Sequence, residues 1–138
     1  MSKTIYHPSA ADLPQGFKYP EPYLDFINQD TMPNLNPWFF MCFYEEDIED
    51  GLEILNEQYP ERCLVPFAKC NYNDDVACFE PEEGQDLPAI FIIHSFTEPG
   101  YEEVDSMDTF EEWLEFTKEE ARRYQLSKYG AIDASLKE

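Results

Sequence analysis

Apolar residues recur along the chain with two different periods, and the switches between them mark the elements. Within "YPEPYLDFINQD", Tyr23, Phe26 and Ile27 recur at helical spacing behind Pro22, which suits a first helical turn. The turn-rich "MPNLNPW" then leads into "WFFMCFY" (38–44), apolar nearly throughout, as a buried strand would be. In "EEDIEDGLEILNEQYP" the period returns to helical. Ile48, Leu52, Leu55 and Tyr59 form a narrow stripe on an otherwise acidic helix that Pro60 ends. Acidic residues crowd its first turns, where they complement the helix dipole, and Gly51 costs about 1 kcal/mol there relative to alanine.

Strands are expected over 63–69, 75–80 and 88–96. The linkers "CNYND" and "PEEGQDLP" are of hairpin length, so an antiparallel meander is the economical arrangement. The apolar run "PAIFIIHSF" places its strand centrally, with both faces covered. "TEPGY" reads as a turn with Pro99 and Gly100 at its middle positions, followed by a short edge strand in "YEEV". In the last element Asp108 is positioned to cap a helix, with Glu111 three residues on. Phe110, Trp113, Leu114, Thr117, Ala121 and Tyr124 share one face, as in a helix lying on a sheet. The expected fold is α+β: one domain with a mainly antiparallel sheet flanked by helices. Residues 1–18 form an irregular arm, 19–126 the domain and 127–138 a tail.

Composition sharpens this picture. At 138 residues the chain fits one core, and 43% hydrophobic with 16% aromatic residues argues against disorder despite a net charge of −21. Between Tyr19 and Thr117 the only basic residues are Arg62 and Lys69, and every other charged side chain there is acidic. Such a field repels phosphate backbones and anionic lipid, so neither nucleic acid nor membrane is an expected partner, whereas basic proteins are attracted. The same acidity also serves solubility, and composition leaves both roles open. No apolar segment opens the chain as a signal peptide would, and "AIFIIH" is far shorter than the ~20 residues that span a bilayer. A cytoplasmic address is the default, with Cys42, Cys63, Cys70 and Cys78 as thiols.

"LVPFAKCNYNDDVACFE" (64–80) concentrates the candidate chemistry. As a calcium loop it offers Asn71, Asn73, Asp75 and Glu82, but Val76 stands where the sharp turn needs glycine, and the flanks are strand-like. As a zinc site Cys63, Cys70 and Cys78 lack a C-x-x-C knuckle, although a hairpin places Cys70 and Cys78 across one turn. Asn71, Asn73 and Asp74 are residues that accept turn geometry, so the polar cluster is read as a chain reversal. His94 is the one histidine outside the arm, and no cysteine is singled out as its partner. No metal, cofactor or catalytic set is expected, and the chain is read as a non-enzyme.

The order of "YPEPYLDFI", "CLVPFAKCNYNDDVACFE", "AIFIIHSF" and "FEEWLEF" resembles the SUKH superfamily of bacterial immunity proteins and yeast cell-wall and glucan synthesis regulators, over roughly residues 19–121. Two departures stand out: "CNYNDD" replaces the usual glycine-rich turn, and "EEDIEDGLEILNEQY" is more acidic than the superfamily pattern. The resemblance implies an α+β fold and a role in binding proteins, with no catalytic residues to carry over. It points to an immunity-type protein that neutralises a basic polymorphic toxin, such as a nuclease, or alternatively to a regulatory or scaffold module of the same superfamily. The candidate contacts, chosen for charge and for tyrosine's place at interfaces, are Asp74, Asp75, Glu82, Glu83, Tyr101, Glu102 and Glu103.

Overall fold

The computed structural model describes residues 4–136. A five-stranded antiparallel sheet forms its centre, with strands in chain order: β1 (Trp38–Phe40), β2 (Val65–Cys70), β3 (Asp75–Glu80), β4 (Ala89–His94) and β5 (Glu103–Met107). Three helices flank it, α1 (Glu21–Ile27), α2 (Glu45–Gln58) and α3 (Phe110–Tyr129). The fold is therefore α+β, with the meander the linker lengths indicate.

Register sorts the side chains. Trp38 pairs with Cys70 and Phe40 with Ala68, while Val65 pairs with Phe79 and Ala77 with Ile92, so these residues share one face. On that face Phe67 stacks on Phe79 at 4.2 Å, and Trp113 of α3 meets Phe67 at 4.9 Å. Tyr23 of α1 meets Phe79 at 5.2 Å. The opposite face carries Pro66, Lys69, Val76 and Cys78 under α2. Because both faces are covered, β2 and β3 read as continuous apolar runs instead of alternating.

At Gly51 helix α2 lies close on its neighbours: a Cβ there would stand 2.7 Å from Met41 Cε, the end of a flexible side chain that can move aside, and 3.6 Å from Pro66 Cγ, an ordinary contact.

Several boundaries differ from expectation for identifiable reasons. In 38–44 only Trp38–Phe40 is strand; Met41–Phe43 turns into a 3₁₀ segment that carries the chain off the sheet towards α2. β4 ends at His94, and Ser95 and Phe96 leave the sheet. The edge strand begins at Glu103, two residues beyond Tyr101, because the Glu98–Tyr101 turn comes first. Thr109, not Asp108, caps α3: its Oγ1 accepts the Glu112 N–H at 3.1 Å, while Glu112 Oε2 accepts the Asp108 N–H at 3.3 Å.

The face of α3 also shifts. Leu114 and Tyr124 are half-buried, while Gln125 is buried, since its amide donates to Asn34 O and Asn36 O and accepts from the Asp133 N–H. This bonding corrects the tail. The helix runs to Tyr129, Gly130 ends it at φ +74°, and Leu136 returns to the core at 2% exposure. Residues 4–18 are irregular apart from a 3₁₀ turn, yet Ile5, Tyr6, Leu13 and Phe17 pack on the core and the Tyr6 N–H donates to Cys42 O.

Candidate functional site

The seven candidate contacts do not form one surface. The β2–β3 turn and the β4–β5 loop lie at the same end of the sheet, because Asp75 pairs with His94. Asp74, Asp75, Tyr101, Glu102 and Glu103 therefore have their backbones towards that end, but Arg62 joins the Glu102 and Glu103 carboxylates to Glu80. Glu82 and Glu83 follow Glu80, which pairs with Ala89 at the other end, and both are exposed there.

Two of the seven are structural. Asp75 is 8% exposed, and its Oδ1 accepts from His94 Nδ1 at 2.6 Å. Glu102 is 6% exposed; its Oε2 accepts from Arg62 Nη1 at 2.9 Å and its Oε1 from the Gly100 N–H at 2.6 Å. Both carboxylates are thus nearly covered and engaged within the chain, so a partner reaching them would compete with these bonds. Glu103 is exposed but lies 3.5 Å from Arg62. Asp74 is exposed with Lys69 Nζ 4.0 Å from its Oδ1, and Tyr101 stands free with 76% of its surface exposed.

The turn reading of 71–74 is explained by its bonds. Asp74 takes φ +64°, its N–H donates to Cys70 O at 2.9 Å, and Asn73 Oδ1 accepts the Asp75 N–H at 3.0 Å. Glu82 stands at the far end of the sheet from Asn71 and Asn73, so the calcium-loop residues do not converge. Among the described residues no group of three histidine, cysteine or acidic side chains is arranged to hold a metal ion. Cys70 and Cys78 lie on opposite faces of the sheet and cannot meet across the turn.

Thiol chemistry follows burial. Desolvation lifts the Cys70 thiol above its ordinary 9.0, with Glu120 and Asp75 adding to the rise against backbone N–H groups of Tyr72 and Asn73. Burial raises Cys78 much further, the charge of Arg62 offsetting only part. Cys42 is also buried, and Cys63 alone among the four is exposed. At pH 8 an aromatic disulfide reagent is expected to titrate one thiol of the native protein quickly and the other three only on unfolding. Cys63→Ser removes the fast phase; a second fast thiol would contradict the burial of the sheet cysteines.

The helix α2 supplies the acidity that the seven residues do not. Glu45, Glu46, Asp47, Glu49, Asp50, Glu53 and Glu57 are exposed along it, and none pairs with a cation among the described residues. The two cations nearest in sequence are already engaged. Arg62 is held by Glu80 and Glu102, and Lys69 Nζ lies 4.0 Å from Asp74 Oδ1.

Sequence reasoning missed Phe96. It closes the apolar run 88–96, where a strand is expected, yet it is 78% exposed at φ +66°. The signal was present in "SFTEPG", where a serine before and a Pro-Gly turn after make a strand end.

Among the described residues no helix is long and apolar enough to cross a membrane. Compared with protein-family models, curated proteins and solved structures, the chain matches none.

Proposed function

We propose that this chain is a cytoplasmic protein-binding module of the immunity type, which occupies and masks the cationic surface of a basic protein toxin. The supporting observation is the uncancelled charge of α2: an exposed row of carboxylates whose nearest cations, Arg62 and Lys69, are drawn to other acids. A nuclease needs a positive groove for phosphate, and a rigid acidic helix competes for that groove. The resemblance to the SUKH superfamily supports the same reading, and the α+β fold is compatible with it. No catalytic role is assigned to Asp75 and His94, because their bond ties two strand ends together.

Co-expression with a basic toxin encoded beside this chain tests the proposal. The two proteins co-purify and the toxin's activity is masked. The association rate falls about tenfold or more as salt rises through ~0.15 M, while dissociation changes little. Failure to capture any basic protein, or an association rate indifferent to salt, would leave the acidity as a solubility device.

A further inference from the structure

Phe96 is held out of the fold by the fold itself. Its φ of +66° is a region that side-chain-bearing residues rarely occupy, and its ring is 78% exposed. The loop around it is fastened by side chains. Gln58 Oε1 accepts the Phe96 N–H at 2.6 Å, and Tyr59 Oη accepts the Thr97 N–H at 3.2 Å while donating to Thr97 O at 2.7 Å. Four residues on, Glu102 fixes the Gly100 N–H. An unfavourable backbone kept rigid around an exposed aromatic ring is the arrangement found at binding surfaces, where the ring serves another molecule.

Beside the ring lies a cleft of about 230 Å³ between α2 and the sheet. At ~30 Å³ per water it has room for one long side chain. Met41, Ile54 and Val76 give it an apolar lining, and Asp47 and Asp50 of α2 stand on its rim. Lys69 also lines it, but its ammonium leans towards Asp74. The cleft thus combines an apolar wall, an aromatic face and an excess of carboxylates.

We infer that this cleft is the anchor site for an arginine side chain of the basic partner, its stem against Met41 and Ile54 and its guanidinium between the Phe96 ring and the Asp47 and Asp50 carboxylates. This rests on the proposed function and specifies where and how the partner is held. A planar guanidinium satisfies both requirements together: it stacks on an aromatic face and it bonds carboxylates in a fork, which a lysine ammonium does not.

The probe is a capped Leu-Arg-Leu-Arg-Leu-Arg peptide titrated into ¹⁵N-labelled protein, beside the same peptide with neutral citrulline for arginine. Saturating amide shifts are expected at Gly51, Ile54, Val76, Ser95 and Phe96, with the citrulline peptide weaker by about tenfold or more. Phe96→Gly relieves the backbone, so the thermal midpoint holds or rises while peptide affinity falls about tenfold. The Asp47→Asn, Asp50→Asn double variant behaves likewise. Shifts centred on residues 82–87 or on β5 overturn the cleft but leave the acidic binding role standing. Equal binding of both peptides, or no saturable shift, also overturns it. The salt-dependent capture of a basic protein then judges the broader function on its own.

Discussion

Replacing Trp113 with alanine lowers the unfolding free energy by about 3–5 kcal/mol, a large part of the 5–15 kcal/mol typical of a domain. The indole is fully buried and is the junction of the larger core: Trp38, Phe40 and Phe110 lie 5.7 Å from it and Phe67 4.9 Å. Deleting it leaves a void lined by rigid rings, which relax less than aliphatic chains. Its N–H meets no acceptor among the described residues, so Trp113→Phe removes an unsatisfied donor along with part of the volume and costs only about 1–2 kcal/mol. Urea unfolding followed by Trp38 fluorescence and far-ultraviolet ellipticity measures both. A Trp113→Ala cost under about 1 kcal/mol would mean that α3 does not pack on the sheet as described.

Most of this core was legible because its elements repeat one period long enough to be read. Phe110, Trp113, Thr117 and Ala121 announce α3, and Ile48, Leu52 and Leu55 announce α2. Where the reading failed, a long-range contact decided the local state. Gln125 looks like a surface residue until three backbone groups from other segments bond its amide. Acidic residues posed the harder problem. Asp75 and Glu102 have the same composition around them as Asp74 and Glu103, yet the first two are buried because His94 and Arg62, distant in sequence, come to meet them. Charge counting finds an acidic surface but not which carboxylates are still free. For the same reason Phe96 escaped: an apolar residue after an apolar strand gives no sign that its ring is turned outwards.

Arg62→Met is expected to cost about 3 kcal/mol at neutral pH, because it strips the cation from carboxylates that are already desolvated. The guanidinium donates to Glu80 through Nη2 at 2.7 Å and Nε at 3.2 Å and to Glu102 through Nη1 at 2.9 Å, and it lies 4.8 Å from the centre of the Phe91 ring. Methionine keeps much of the contact with Phe91 but leaves Glu80, Glu102 and Glu103 facing one another without a counter-charge. The pH dependence carries the diagnosis. Burial alone would raise the Glu102 carboxyl, but its backbone bond, Arg62 and the Gly100 N–H together hold it below the ordinary 4.5. A depressed folded pKa means the pair's stabilisation is present above 4.5 and is lost as pH falls below that through the folded value. In Arg62→Met the lowering by Arg62 is lost, so the carboxyl titrates higher than in the parent chain and acidification discharges the strained cluster. The variant's deficit is therefore widest at pH 7 and narrows below about pH 4.5, in urea melts run at both values. Arg62→Lys recovers only part, since an ammonium cannot fork to Glu80 while reaching Glu102. Glu102 also fixes the Gly100 N–H in the loop that carries Phe96, so, on the proposed function, Arg62→Met is expected to weaken capture of a basic partner even though Arg62 sits within the ion cluster and not on the acidic helix. A deficit that is the same at both pH values, or smaller than about 1 kcal/mol, would reduce the cluster to a surface ion pair and detach the loop's order from it.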